Sequence, residues 1–291
     1  MKKIILLIFL GLSGGVFAQE TTYNKEIEDW HGKRLKSLQS ETGWLNLAGL
    51  FWLKEGNNTI GGGEKNDCVF PTEHSNKHLG TIILKSGKVY LENMPKDAQV
   101  FSKGVKFEGG LIYSEQSDAL VLSHQTLRWF IIKRGDKYAI RLRDLESEYV
   151  KNFKGIEHFP TQVSWKLKGK LVPTIGKKLR IVDVTGRVYE EDSPGNVVFA
   201  VDGEEYSLAA TKEGNELFIV FGDLTNKHET YGGGRFVYVD MPTVGDEVSI
   251  DFNKSYNPPC TFTPFATCPL PVAENKLQIR IPAGEKYTAN Y

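Results

Sequence analysis

The sequence predicts a mainly β protein built of antiparallel sandwich or barrel units, with one helix ahead of them. Three observations lead there. From Gly43 onward, short runs of β-branched and aromatic residues alternate with Gly, Asp and Asn turns at hairpin spacing. Tyr23–Leu38 is the only stretch with a convincing helical period. The 16 Phe, 12 Tyr and 5 Trp within a 40% hydrophobic chain are enough to fill a large core.

The first element is a leader. Lys2-Lys3 form a basic head, Ile4–Leu12 an apolar run, and Val16-Phe17-Ala18 places small residues at −3 and −1. This pattern predicts a signal peptide over residues 1–18 and a mature protein starting at Gln19, exported to the periplasm or beyond. The apolar run is too short for a membrane span, and no later stretch approaches the ~20 apolar residues a transmembrane helix needs. The residue directly after the cleavage point is Gln19 and not Cys, which argues against a lipid anchor.

The helix comes next, within residues 19–42. Tyr23, Ile27, Trp30, Arg34, Leu35 and Leu38 share one face, opposite Glu26, Glu28, Asp29 and Lys33. The first β block covers residues 43–160. Thr81–Leu84 and Lys88–Leu91 flank Ser86-Gly87, and Leu127–Ile132 and Tyr138–Arg141 flank Arg134-Gly135-Asp136. Ser147–Phe153 reads as a turn or two of helix. A boundary at Phe159-Pro160 opens the second block, residues 161–291, with a strand expected from about Val163. Its runs are Leu179–Val184, Val197–Val201, Glu205–Leu208 and Glu216–Phe221, with Val201-Asp-Gly-Glu204 as a two-residue hairpin turn.

Charge and metal-ligand content narrow the function. The 36 basic and 36 acidic side chains cancel, and no basic stripe suggests a nucleic-acid partner. The six histidines are scattered, at 31, 74, 78, 124, 158 and 228, and no CxxC or HxxxH spacing occurs. No metal or other cofactor is expected. Of the three cysteines, Cys260 and Cys268 stand eight apart across a Pro-bounded loop and are candidates for a disulfide in an oxidising compartment. Buried free thiols are the alternative for all three.

Candidate site residues concentrate between Glu229 and Ala283, a segment too rich in Pro, Gly, Asn and Cys for long regular elements. Arg235 follows three glycines and opens a strand, a setting suited to capturing a carboxylate or phosphate. The alternative is a buried ion pair with Asp251 or Glu229. Asp251 and Asn253 are expected on one face by strand alternation, with Tyr256 close by. They either line a pocket or pin a loop, and Asn257 before Pro258 suits pinning. Phe262 and Phe265, on the Pro-bounded loop, are candidates for an exposed aromatic lining. Trp129 and Trp165 fit alternating core strands. Arg235, Asp251, Asn253, Tyr256, Phe262 and Phe265 thus predict one site for a small anionic or carbohydrate-like ligand, joined by the Cys260–Cys268 loop. A hydrolase using Asp251 or Glu229 as its carboxylate is the alternative. A Cys260 thiol with His228 as base is weaker in an oxidising compartment, and no Gly-x-Ser-x-Gly is present.

Two resemblances add to this. Gly43–Leu53, Phe153–Ile156 with Phe159-Pro160, and the Glu229–Lys286 block with its DFN…YNPPC…ATCPLP string resemble the bacterial domain-of-unknown-function family 1684. The resemblance spans nearly the whole mature chain and implies a β-rich fold with no settled activity. Asn58–Gly61, Asn66–Pro71, Ser75–His78, Val89–Glu92 and Phe101–Gly104 run in the order of a forkhead-associated sandwich. In such domains an Arg, a Ser and an Asn hold phosphothreonine. Here Ser75 and His78 remain, but Gly62 stands at the Arg position and Ala98 near the Asn. The resemblance therefore implies the shape without the phosphopeptide function.

Overall fold

The structure is a computed structural model that describes residues 20–287 in full and the backbone alone from Ser13. The predicted leader therefore lies outside the fully described residues. The fold is mainly β and antiparallel, with one long helix at Ser13–Gln39. It divides into two units. An N-terminal unit comprises residues 37–154 and 259–268, and a C-terminal unit comprises residues 13–36, 155–258 and 269–287.

The N-terminal unit contains two sheets. One has six strands, ordered Leu47–Trp52, Lys137–Asp144, Leu127–Arg134, Leu122–His124, Phe101–Ser102 and Val105–Lys106. The other has five: Cys68–Val69, Gly56–Gly61, Gly80–Lys85, Lys88–Glu92 and Gly110–Tyr113. Alternate residues of each sheet turn inward, so Ile60, Ile82, Leu91, Trp129, Ile131, Ile140 and Leu142 form one buried core with Phe70 and Leu79. Trp129 lies edge-on to Phe70 at 5.7 Å. The Ser86-Gly87 turn takes the left-handed backbone that a tight hairpin needs, with φ of 49° and 77°. The short helix Glu148–Lys151 is capped by the Ser147 hydroxyl, which accepts from the Val150 N–H.

The C-terminal unit contains most of the helix, a two-stranded hairpin of Lys178–Val182 and Val188–Asp192, and a six-stranded, nearly closed sheet. The order of that sheet is Arg235–Asp240, Glu216–Phe221, Glu204–Glu213, Gly195–Val201, Lys166–Pro173 and Glu247–Asp251. Phe236 and Tyr256 bridge by reciprocal backbone hydrogen bonds of 2.9 Å at its edge. Val197, Phe199, Leu208, Ile219, Phe221, Val237, Ile250 and Phe252 fill the interior. Asp202 and Gly203 both have positive φ in the expected Val201–Glu204 hairpin.

Two local expectations are corrected. Val163–Trp165 is a 3₁₀ turn and the strand starts at Lys166, so Trp165 packs on the core from a turn rather than from a strand. The strand ending at Asp251 passes directly into a 3₁₀ turn over Phe252–Lys254. Strand alternation therefore stops at Asp251. That side chain accepts from the Asn253 N–H, which favours the tight turn over further extension.

Candidate functional site

In the C-terminal unit Arg235 is wholly buried. Gly234 before it takes φ of 88°, and a Cβ there would lie 2.5 Å from Pro271 Cγ and 2.6 Å from the Phe221 carbonyl oxygen. Glycine is needed at that position for close packing rather than for ligand approach. The guanidinium donates through Nη2 to Asp223 Oδ1 at 3.0 Å and to the Ile281 carbonyl at 2.9 Å, and through Nη1 to the Ala283 carbonyl. Its partner is Asp223, in place of the expected Asp251 or Glu229. Asp223 also accepts from Thr225 Oγ1 at 2.9 Å and from the Ile281 N–H at 2.7 Å. Burial lowers the Arg235 pKa while Asp223 raises it. The arginine ties the segment around Ile281–Ala283 to the sheet.

A second polar set forms around Asp251. Tyr23, from the helix, donates its hydroxyl to both carboxylate oxygens at 2.8 and 2.9 Å. Asn253 Nδ2 donates to that hydroxyl at 2.9 Å and to the Gln162 carbonyl at 2.8 Å. Burial first, then the bond to Asp251, pushes the Tyr23 phenol far above its ordinary pKa. Asp251 and Asn253 therefore meet, as expected, but they meet over a helix side chain and pin it. Glu229 pairs with Arg280 instead.

Tyr256 belongs to a third set. Arg34 lies over its ring with the guanidinium carbon 4.5 Å from the centroid, Trp30 approaches at 6.2 Å, and Tyr238 stacks at 6.3 Å with planes 14° apart. All four side chains are half-buried. Arg34 Nε donates to Glu285 Oε1 at 3.1 Å, and its Nη2 donates to the Asn257 carbonyl at 2.9 Å. Glu285 Oε2 accepts from the Asn257 N–H at 2.7 Å, and the Asn257 amide donates to the Lys286 carbonyl, also at 2.7 Å. Asn257 thus pins its loop. Burial raises the Glu285 pKa, and Arg34 counters it. Nearby, His31 stacks on His158 at 4.2 Å. Burial, then the charges of His158 and Arg34, bring the His31 pKa down to about 4.

Cys260 and Cys268 are bonded, with Cα atoms 6.2 Å apart, within the usual disulfide range. Their loop belongs to the N-terminal unit. Phe262, expected as an exposed lining, is 1% exposed and meets Phe153 edge-on. It is buried against Phe153 instead of facing solvent. Phe265 is half-buried. Cys68 is a buried free thiol whose pKa burial pushes up to about 11. In the same unit Gly62 is tightly packed: a Cβ there would lie 3.0 Å from the Ser75 carbonyl oxygen and 3.1 Å from Thr72 Cα. His78 contacts Asn66 Oδ1 at 3.1 Å, and Ser75 donates to the Asn76 carbonyl.

Sequence reasoning missed Asp223, Tyr23, Arg34 and Glu285 as partners. Asp223 leads an Asp-x-Thr turn, a visible signal for an anchored carboxylate. The helix face had already placed Tyr23 and Arg34 together.

Asp223, Asp251 and Asn257 all lie in the stretch that comparison with known proteins singles out, whereas their helix partners Tyr23 and Arg34 lie outside it. Residues 151–286 match the family DUF1684, a protein family of unknown function. Among solved structures, the chain is similar to an uncharacterized protein of Haloarcula marismortui determined by solution NMR. Identity is 25%, over 48% of this chain and 80% of that one, with a TM-score of 0.41. No curated protein matches significantly. The DUF1684 stretch begins within the short helix Glu148–Lys151 and ends just past Glu285. It thus holds Arg235 and Asp223 together, and both ends of the Glu285–Asn257 bond.

Proposed function

We propose that the protein is an exported, non-catalytic binding protein whose C-terminal unit holds a small carbohydrate-like ligand against Trp30, Tyr238 and Tyr256. The observation that carries this reading is the half-buried ring set itself, steadied from one side by Arg34 over Tyr256. Sugar rings present C–H faces that pack on aromatic planes, and their hydroxyls accept and donate at the rim. Glu213, which accepts from Tyr238 Oη at 2.6 Å, and the paired His31 and His158 supply polar groups around the rings.

Two features favour binding over hydrolysis. Asp251 accepts from Tyr23 and Asn253, and Glu229 is paired with Arg280, so both candidate carboxylates are already engaged. The anionic alternative at Arg235 is disfavoured because Asp223 already neutralises that side chain in the interior.

Titration of the full-length protein with a panel of mono- and oligosaccharides tests the proposal, with calorimetry and tryptophan fluorescence as readouts. A binder should emerge whose affinity falls about tenfold in Tyr238→Ala, on the scale of one lost ring contact. A panel in which no saccharide binds, or one that is cleaved on incubation, would overturn the reading.

A further inference from the structure

On the face of the six-stranded sheet turned away from the core of the N-terminal unit, one buried arginine has neither an ion pair nor a partner for two of its nitrogens among the described residues. Along Lys137–Asp144, Tyr138, Ile140 and Leu142 turn into the core, so Ala139, Arg141 and Arg143 share the opposite face. Cross-strand pairing sets Leu50 and Phe130 beside Arg141, and Arg128 directly opposite Arg143. By the same alternation Arg134 lies on this face too. Four arginines therefore crowd one side of two strands, with like charges facing each other, an arrangement a sheet does not favour unaided.

Three of the four are engaged. Arg128 donates to the Gln125 and Leu127 carbonyls and lies 4.0 Å from Glu41. Arg134 donates to the Lys133 carbonyl, and Arg143 to the Gly43 carbonyl and Asn46 Oδ1. Arg141 differs. It is 5% exposed, and its Nε and Nη2 have no hydrogen-bond partner among the described residues. Those two atoms form the side-on edge of the guanidinium, the pair that grips a carboxylate or phosphate through two parallel bonds. Burial, then the charges of Arg134 and Arg143, lower its pKa to about 10, so it stays charged at neutral pH. A buried cation without a counter-ion is strongly disfavoured, and an arriving anion removes that cost.

We propose that Arg141 anchors a second site, distinct from the aromatic one, which takes the carboxylate or phosphate group of a small ligand. Arg134 and Arg143 add positive potential around it, and Phe130 and Leu50 provide apolar walls that strengthen the contact by excluding water.

The test uses the full-length protein with inorganic phosphate and with acetate, each against chloride at matched ionic strength. Phosphate, acetate or both should raise the melting midpoint progressively with concentration, while chloride does not. Which anion acts identifies the group that is read. Arg141→Met should abolish the shift and, without anion, melt no lower than the wild type, because the variant no longer buries an uncompensated charge. Arg141→Lys keeps the charge but loses the two-atom edge and should bind at least about tenfold more weakly. Should Arg141→Met fail to fold, Arg134→Gln gives an independent reading, with affinity expected to fall about fivefold. A wild-type response no larger than that in chloride, a shift retained in Arg141→Met, or unchanged affinity in Arg134→Gln would each overturn the proposal.

Discussion

Arg235 and Arg141 are both buried arginines, one in each unit, and their surroundings are opposite. Arg235 has a carboxylate at 3.0 Å and two backbone carbonyls, with its charge balanced inside the fold. Arg141 has neither across the side-on edge of its guanidinium, and its nearest charges are other arginines. The same residue type, buried in both places, is compensated inside the fold in one and left without partners along one edge in the other. The difference is that partners reach Arg235 from two loops, around Asp223 and Ile281, whereas Arg141 sits mid-strand on a sheet face. The side chains set beside it across the strands are apolar.

The comparison breaks most directly at Asp223. Asp223→Ala leaves Arg235 buried and uncompensated, and should cost about 3–5 kcal/mol in denaturant unfolding. Arg141→Met should cost nothing comparable. Similar losses at the two positions would mean that Arg141 too is part of an internal lock.

The covalent fastener of the N-terminal unit comes next in size. The Cys260–Cys268 bond closes a separation of eight residues, and chain entropy assigns so short a ring about 2.5 kcal/mol. Unfolding with and without reductant should differ by about that amount. Proteolysis of the reduced protein should begin within residues 259–268, where Phe262 loses its enclosure. A reduced protein as stable as the oxidised one would show that the loop is held by Phe262 and Thr263 packing alone.

How far these features were readable in sequence varies with the range of the contact. The hairpins at Ser86-Gly87 and Val201–Glu204 were legible because turn chemistry and two-residue alternation are local. The helix was legible from its period, and the cysteine pair from its spacing and its prolines. Asp251 and Asn253 were recognised as partners, although the 3₁₀ turn that joins them was not, since nothing in Asp-Phe-Asn-Lys alone stops a strand. The Arg235–Asp223 and Tyr23–Asp251 pairs were illegible for another reason. Each depends on which elements the fold brings together, and in the second case the partners are 228 residues apart. Arg141 was read only as the end of an alternating strand. Its missing partner is a property of the folded neighbourhood.

A smaller effect distinguishes the polar set around Asp251 from the one around Arg235. Tyr23→Phe keeps the ring but removes the hydroxyl that Asp251 accepts and that receives the Asn253 amide. Hydrogen bonds to a charged group of this kind are worth about 2 kcal/mol. The loss should appear in denaturant unfolding with saccharide binding unaltered. Weakened binding as well would place the Asp251 set within the ligand site and blur its separation from the aromatic surface.

The smallest expected effect is in pH. His31 is held neutral by burial and by the neighbouring charges of His158 and Arg34, with its pKa lowered to about 4, against about 6.5 in an unfolded chain. Between those values the unfolded state binds a proton that the folded state refuses, so stability rises with pH through that window and falls as the pH drops toward 4. Above about 6.5 this contribution is complete and flat. His31→Phe keeps a planar ring on His158 but removes the titration. Its stability should therefore fall less steeply than the wild type's between about pH 6.5 and 4. Arg141 stays protonated across that whole range, so Arg141→Met should leave the slope alone. A His31→Phe variant with the wild-type slope would place the acid sensitivity elsewhere in the chain.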